Sequence, residues 1–219
     1  MRQWIATICL IVLSSVATAQ AATVLVVGDS ISAAFGLETE QGWVALLQER
    51  LLEQDAEFTV VNGSISGETT AGGLARFPDL LAEHQPDYVI IELGGNDGLR
   101  GLSLTHIAGN LTKMVRKSKE QGAGVLLLGM RLPGNYGKLY TDAFFNVYQH
   151  IAEKEEVALV EFFLDGVGGV DGMMQEDGVH PTQEAQPLLL ENAWQGLAPI
   201  LSADSADPVD PVDSAVSEK

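Results

Sequence analysis

Two short polar segments carry the residue types that nucleophilic acyl chemistry needs. Gly28-Asp29-Ser30 follows an apolar run near the start of the chain, and Asp177-Gly178-Val179-His180-Pro181 lies near its end. Such chemistry requires a hydroxyl, a base to take its proton, a group to orient the base, and donors for the oxyanion. Ser30, at a strand-to-helix turn, can supply the hydroxyl. His180 can supply the base. Asp177, three residues earlier, can reach Nδ1 of that ring while Nε2 faces Ser30. The candidate oxyanion donors are the backbone N–H groups of Ser30 and Gly67 and the side-chain amide of Asn96. Glycine at 67 lets backbone come close to a substrate.

Other reactive residues have simpler readings. Ser64 and Ser66 are alternative nucleophiles, but no Gly-x-Ser-x-Gly elbow surrounds them, so capping or turn bonding is expected. His84, His106 and His150 fall within or at the ends of helical patterns and read as surface residues. Glu92 sits inside an apolar run, where pairing with Arg131 or Arg76 is expected rather than catalysis. Asp97 could cap its loop or face substrate. Asp29, Asp97, Asp177 and His180 could hold a metal, yet no His-x-His or His-x-x-x-His pattern supports one, so no metal and no cofactor is expected.

The elements that must position these groups follow from hydrophobic periodicity. Apolar runs rich in Val, Ile and Leu occupy 23–28, 58–62, 88–93, 125–130 and 157–162, with little polar alternation, as in strands buried on both faces. Helical spacing fills the gaps. Trp43, Leu46, Leu47 and Leu51 share one face, as do Leu74, Leu80 and Leu81, and further helices are expected at 104–120, 139–155 and 181–197. Alternating strands and helices imply an α/β fold, a three-layer α/β/α sandwich around a five-stranded parallel sheet. In such a sheet the ligand crevice lies beyond the carboxyl ends of the strands. All four polar segments (28–30, 62–70, 94–97 and 177–181) project to that edge. The loops at 97–102 and 131–140 flank it. Their Asp97, Leu99, Leu102, Leu132 and Tyr136, with Leu139, could line a groove for an acyl chain, or the apolar ones could simply pack the loops down.

The two ends differ from this middle. Arg2, an apolar stretch from Trp4 to about Val16, and small residues at Ala17, Ala19 and Ala21 describe a signal peptide over 1–21. The stretch is shorter than the ~20 apolar residues of a membrane span, so no stable span is expected and the protein should be periplasmic or secreted. From Ser202 the chain carries five acidic residues, two prolines and no aromatic side chain, so an acidic disordered tail is expected over 202–219, leaving a domain at 22–201. The only cysteine, Cys9, lies in the leader, which excludes a disulfide framework. A formal charge of −18 repels phosphate backbones, so nucleic-acid binding is excluded.

In order and position, the four polar segments resemble the four sequence blocks of the SGNH, or GDSL, hydrolase family. The stretches GDSISAAFG, NGSISGETTAGGLAR, ELGGNDGLRG, RLPGNYG and DGVHPTQEAQP carry a finer similarity to its bacterial thioesterase, lysophospholipase and arylesterase branch. That resemblance implies a flavodoxin-like sheet of order 2-1-3-4-5, with Ser30, Asp177 and His180 as triad and Ser30, Gly67 and Asn96 as oxyanion donors. It also implies a small-molecule acyl ester, thioester or lysophospholipid as substrate, and a monomer is expected. Two other readings are a carbohydrate acetylesterase of the same fold and a secreted binding protein that keeps the crevice without turnover.

Overall fold

The computed structural model describes residues 21–54 and 57–204, so the expected signal peptide over 1–21, all but its last residue, and the expected tail over 202–219, from residue 205 on, lie outside them. Branched aliphatic runs form β1 (Ala22–Gly28), β2 (Phe58–Asn62), β3 (Tyr88–Glu92), β4 (Gly124–Leu128) and β5 (Ala158–Val160). All pair in parallel in the order β2-β1-β3-β4-β5, the order implied by the family resemblance. The two central strands, β1 and β3, are almost wholly buried, which explains their largely apolar sequences. Their register pairs Gly28 with Glu92, so β1 and β3 end level with one another.

The helices are α1 (Trp43–Glu53), α2 (Thr70–His84), the short α3 (Gly95–Leu99), α4 (Leu104–Glu120), α5 (Lys138–Glu155) and α6 (Gln186–Asp204). α1 packs against α6, while α4 packs against both α2 and α5. Trp43, Leu47 and Leu51 of α1 are buried in the core, where Trp43 meets the edge of Phe163 with ring centroids 5.2 Å apart. Large-to-small changes at such a site typically cost ~3–5 kcal/mol. Among the described residues no helix is long and apolar enough to cross a membrane.

Two features depart from expectation. The segment after β3 is not simply a loop: Gly95–Leu99 forms one short helix. The last helix does not run over 181–197: Pro181 stands outside it, a 3-10 turn occupies Gln183–Ala185, and α6 runs from Gln186 to Asp204, past Pro199 and into the segment expected to be tail. Pro199 is exposed, and so is Gln195, whose carbonyl loses its helical donor and can turn to water. Ile200 and Leu201 still pack against the core, and the Ser202 hydroxyl donates to the Ala198 carbonyl, 2.8 Å away. Packing therefore outweighs the missing proline donor.

Candidate active site

Gly28 ends β1 and opens the turn that carries Ser30. A Cβ at Gly28 would approach the Glu92 carboxylate and the Ser32 side chain to 2.7 Å, so only glycine fits there. Its N–H donates to Ser64 Oγ at 3.0 Å, which gives Ser64 a structural task in joining the turns after β1 and β2. Ser30 itself is 8% exposed, with its Oγ 2.9 Å from Nε2 of His180.

His180 reaches that position on the loop after β5. Its Nδ1 lies 2.6 Å from Asp177 Oδ2. The other oxygen of Asp177 accepts the Val179 and His180 backbone N–H groups at 2.9 and 3.0 Å. A carboxylate beside Nδ1 favours the tautomer with its proton there and leaves Nε2 free to accept from the Ser30 hydroxyl. Donation from the His180 ring first, and then from the two amides, holds the Asp177 carboxyl down at about 2. The loop is tied to the Ser30 turn by Gln175, whose Nε2 donates to Phe35 O at 2.8 Å and to Pro181 O at 3.0 Å. Phe35 lies over the His180 ring with centroids 4.3 Å apart.

Behind Ser30 the environment reverses. Asp29 is 2% exposed and accepts the Ile31 N–H at 3.1 Å and the Asn96 amide at 2.9 Å. Glu92 is completely buried and accepts the Asp29 N–H at 3.2 Å and the Ser32 hydroxyl at 2.8 Å. Its Oε1 has no hydrogen-bond partner among the described residues. Burial pushes the Asp29 carboxyl up to about 6, against the hydrogen bonds that lower it. Burial first, and the neighbouring Asp29 second, raise Glu92 well above the usual carboxylate range. The expected pairing of Glu92 with an arginine is therefore corrected. Arg131 lies over the Phe145 and Phe162 rings, and Arg76 bonds Glu68 and the Gly63 carbonyl.

The candidate oxyanion donors converge from three loops. Gly67 has φ +78 and a Cβ there would meet nothing within 4 Å, so glycine is needed for the left-handed backbone rather than for a close approach. One amide hydrogen of Asn96 is spent on Asp29, which fixes the side chain and leaves the other hydrogen free. Asp97 clamps the loops carrying Gly67 and Asn96 together. It accepts the Thr70 N–H at 2.8 Å and the Thr70 hydroxyl at 2.6 Å.

These groups open onto a cavity of about 690 Å³. Ser30, Gly67, Asn96 and His180 line it, with Leu99 and Leu132 among its apolar walls. Asp97, Leu102 and Tyr136 are not among its walls. Asp97 is buried in the Thr70 clamp, while the Tyr136 hydroxyl donates to Leu99 O and Tyr140 donates to Leu102 O. His84, His106 and His150 lie on α2, α4 and α5, away from it. Among the described residues no group of three or more His, Cys, Asp or Glu side chains could hold a metal ion. Sequence reasoning missed Phe35, Met130, Leu164 and Met174, which also line the cavity. Only Phe35 carried a signal, as an aromatic residue within a polar turn.

An alcohol, an imidazole and a carboxylate in one hydrogen-bonded line beside an apolar cavity can perform serine-type acyl transfer. Comparison with known proteins agrees with that class. The GDSL-like lipase/acylhydrolase family matches residues 26–187, and the chain belongs to it: it is an esterase of the SGNH type. Esterase TesA of Pseudomonas aeruginosa is 59% identical over 194 residues, spanning 89% of this chain and 96% of that one. The arylesterase of Vibrio mimicus is 47% identical over 183 residues, spanning 84% and 92%. Thioesterase 1/protease 1/lysophospholipase L1 of Escherichia coli strain K12 is 39% identical over 203 residues, spanning 93% and 96%. A crystal structure of TesA superposes with a TM-score of 0.80 at 61% identity, covering 81% of this chain and 99% of that one.

Proposed function

We propose that the chain cleaves acyl esters and thioesters, lysophospholipids among them, through an acyl-enzyme formed on Ser30. The observation that carries this reading is the 2.9 Å contact between Ser30 Oγ and His180 Nε2 at the wall of the apolar cavity. His180 takes the Ser30 proton as Oγ attacks the substrate carbonyl. The Ser30 and Gly67 N–H groups and the free Asn96 amide hydrogen receive the oxyanion, and each such donor is typically worth ~100–1000-fold in kcat. The protonated His180 then gives its proton to the leaving alcohol or thiol as the C–O or C–S bond breaks. Water enters, His180 deprotonates it, and attack on the acyl-enzyme releases the acid and restores Ser30. Asp177 stabilises the imidazolium at each stage without taking its proton.

The apolar walls at Leu99 and Leu132 favour an acyl chain over acetate alone, and a relative named thioesterase and lysophospholipase supports both leaving groups. The leader-like segment at 1–21 supports export, which makes lipid-derived esters more accessible than cytosolic thioesters. Export is tested by N-terminal sequencing of secreted protein: a start at Gln20 or Ala22 supports it, and a start at Met1 contradicts it. The activity is tested with a chain-length series of p-nitrophenyl esters. Wild type should prefer chains longer than acetate, and Ser30→Ala should lower kcat by at least ~10⁴-fold with the fold intact. A preference confined to acetate contradicts the acyl groove and favours a carbohydrate acetylesterase.

A further inference from the structure

Exposed apolar side chains gather on the segments at the edge of the sheet where the cavity opens. Eight large hydrophobic side chains are exposed among the described residues, and seven stand on the loops and helix starts that follow the carboxyl ends of the strands. After β1 comes Phe35, 48% exposed, and after β2 comes Ile65, 50% exposed and adjacent to the cavity residues Ser66 and Gly67. Leu102 follows α3. Tyr136 and Leu139 follow β4, with Leu139 88% exposed in the first turn of α5. Val170 and Val179 follow β5; Val179 itself lines the cavity, and Val170 adjoins the cavity residue Gly169. Leu52, at the far end of α1, is the exception.

We infer that this fringe is a docking surface for a lipid–water interface of neutral or zwitterionic headgroups, which presents acyl chains directly to the cavity. Isolated exposed apolar residues need no explanation, but a concentration of them around one opening does. The choice of occupant follows from position and charge. A folded protein, or a second copy of this chain, seated on the fringe would cover the entrance to Ser30, whereas a lipid surface supplies what enters. The formal charge of −18 opposes approach to anionic headgroups, so the attraction is apolar burial against an uncharged surface. This inference rests on the acyl-ester reading for its purpose, though the docking itself can be measured without any turnover.

The test uses sedimentation with vesicles of a dialkyl-ether phosphatidylcholine, which contains no ester to cleave. Wild type should co-sediment with them, and adding an anionic lipid should reduce the bound fraction. The combined variant Ile65→Ser, Leu139→Ser, Val170→Ser touches no group of the acyl-transfer machinery. Its partition onto the vesicles should fall by at least about 10-fold. Its kcat/KM on dispersed p-nitrophenyl butyrate should stay within about 2-fold of wild type, since exposed substitutions of this kind rarely disturb a fold. Its rate on micellar lysophosphatidylcholine should fall with the partition. Wild type that ignores the vesicles, or a variant that binds them equally well, overturns the inference. So does a wild-type dimer that the variant converts to monomer, because the fringe is then a self-interface. Wild type that binds the vesicles yet cleaves no acyl ester supports the surface while contradicting the proposed activity.

Discussion

Ser30 stands between two sets of carboxyl groups whose surroundings are opposite. On the solvent side, Asp177 has a side chain 42% exposed, accepts three hydrogen bonds, and is held down at about 2. On the sheet side, Asp29 and Glu92 are buried together and both are raised. Asp177, held at about 2, is the one ionised at neutral pH, and it lies against the imidazole, where the proposed mechanism develops a positive charge. The buried pair contacts backbone N–H groups, the Ser32 hydroxyl and the Asn96 amide, so it acts as scaffolding for the turn and for the Asn96 side chain, a candidate oxyanion donor. The chemistry of a carboxyl group here is decided by its donors and its access to water, not by its distance from Ser30 in sequence.

Breaking the solvent side should have the larger consequence. Asp177→Asn keeps the shape but removes the charge and the tautomer control, so kcat on a p-nitrophenyl ester should fall by ~10³–10⁴-fold. A loss under tenfold contradicts the role given to Asp177. On the sheet side, Asp29→Asn places an amide against the Asn96 amide and turns its free hydrogen out of line. One disturbed oxyanion donor predicts a kcat loss of ~100-fold, with KM little changed. A rise in KM with kcat preserved contradicts this.

The mildest change should be Glu92→Gln, because a neutral isostere replaces a carboxyl already favoured in its neutral form; kcat should stay within ~3-fold of wild type. Its signature is in stability. The folded Glu92 is raised well above its ordinary 4.5, so its stabilising contribution is full below that pH and is lost as pH rises toward the folded value. The melting temperature of Glu92→Gln relative to wild type should therefore climb as pH increases from about 4.5 toward 8. A constant difference across that window contradicts the buried, neutral Glu92. Asp177 works in the other direction. Held at about 2 against an ordinary 3.8, it supports the fold above 3.8 and loses that contribution as pH falls toward 2.

Much of the frame is legible in residue order alone. The strands at 58–62 and 88–92 announce themselves by short runs of aromatic and β-branched residues, and α4 by a clean helical period bounded by Ser103 and Gln121. The convergence of Ser30 and His180 could be anticipated because a parallel sheet sends every strand end to one edge. The partners of Glu92 could not. A lone acid in an apolar run suggests a cation, and only the level ending of β1 and β3 shows that it meets the Ser30 turn instead. Leu99 and Leu102 read alike in sequence, yet α3 turns one into the cavity wall and leaves the other at the surface. The extension of α6 beyond Pro199 was hidden for a similar reason, since the contacts of Ile200 and Leu201 are tertiary.

The assignment of Ser30 is tested most directly by a fluorophosphonate probe followed by peptide mass spectrometry. One phosphonyl adduct on Ser30 is predicted, with none on Ser30→Ala and strong suppression in His180→Ala. An adduct on Ser64 or Ser66 instead, or no adduct on folded wild type, would contradict it.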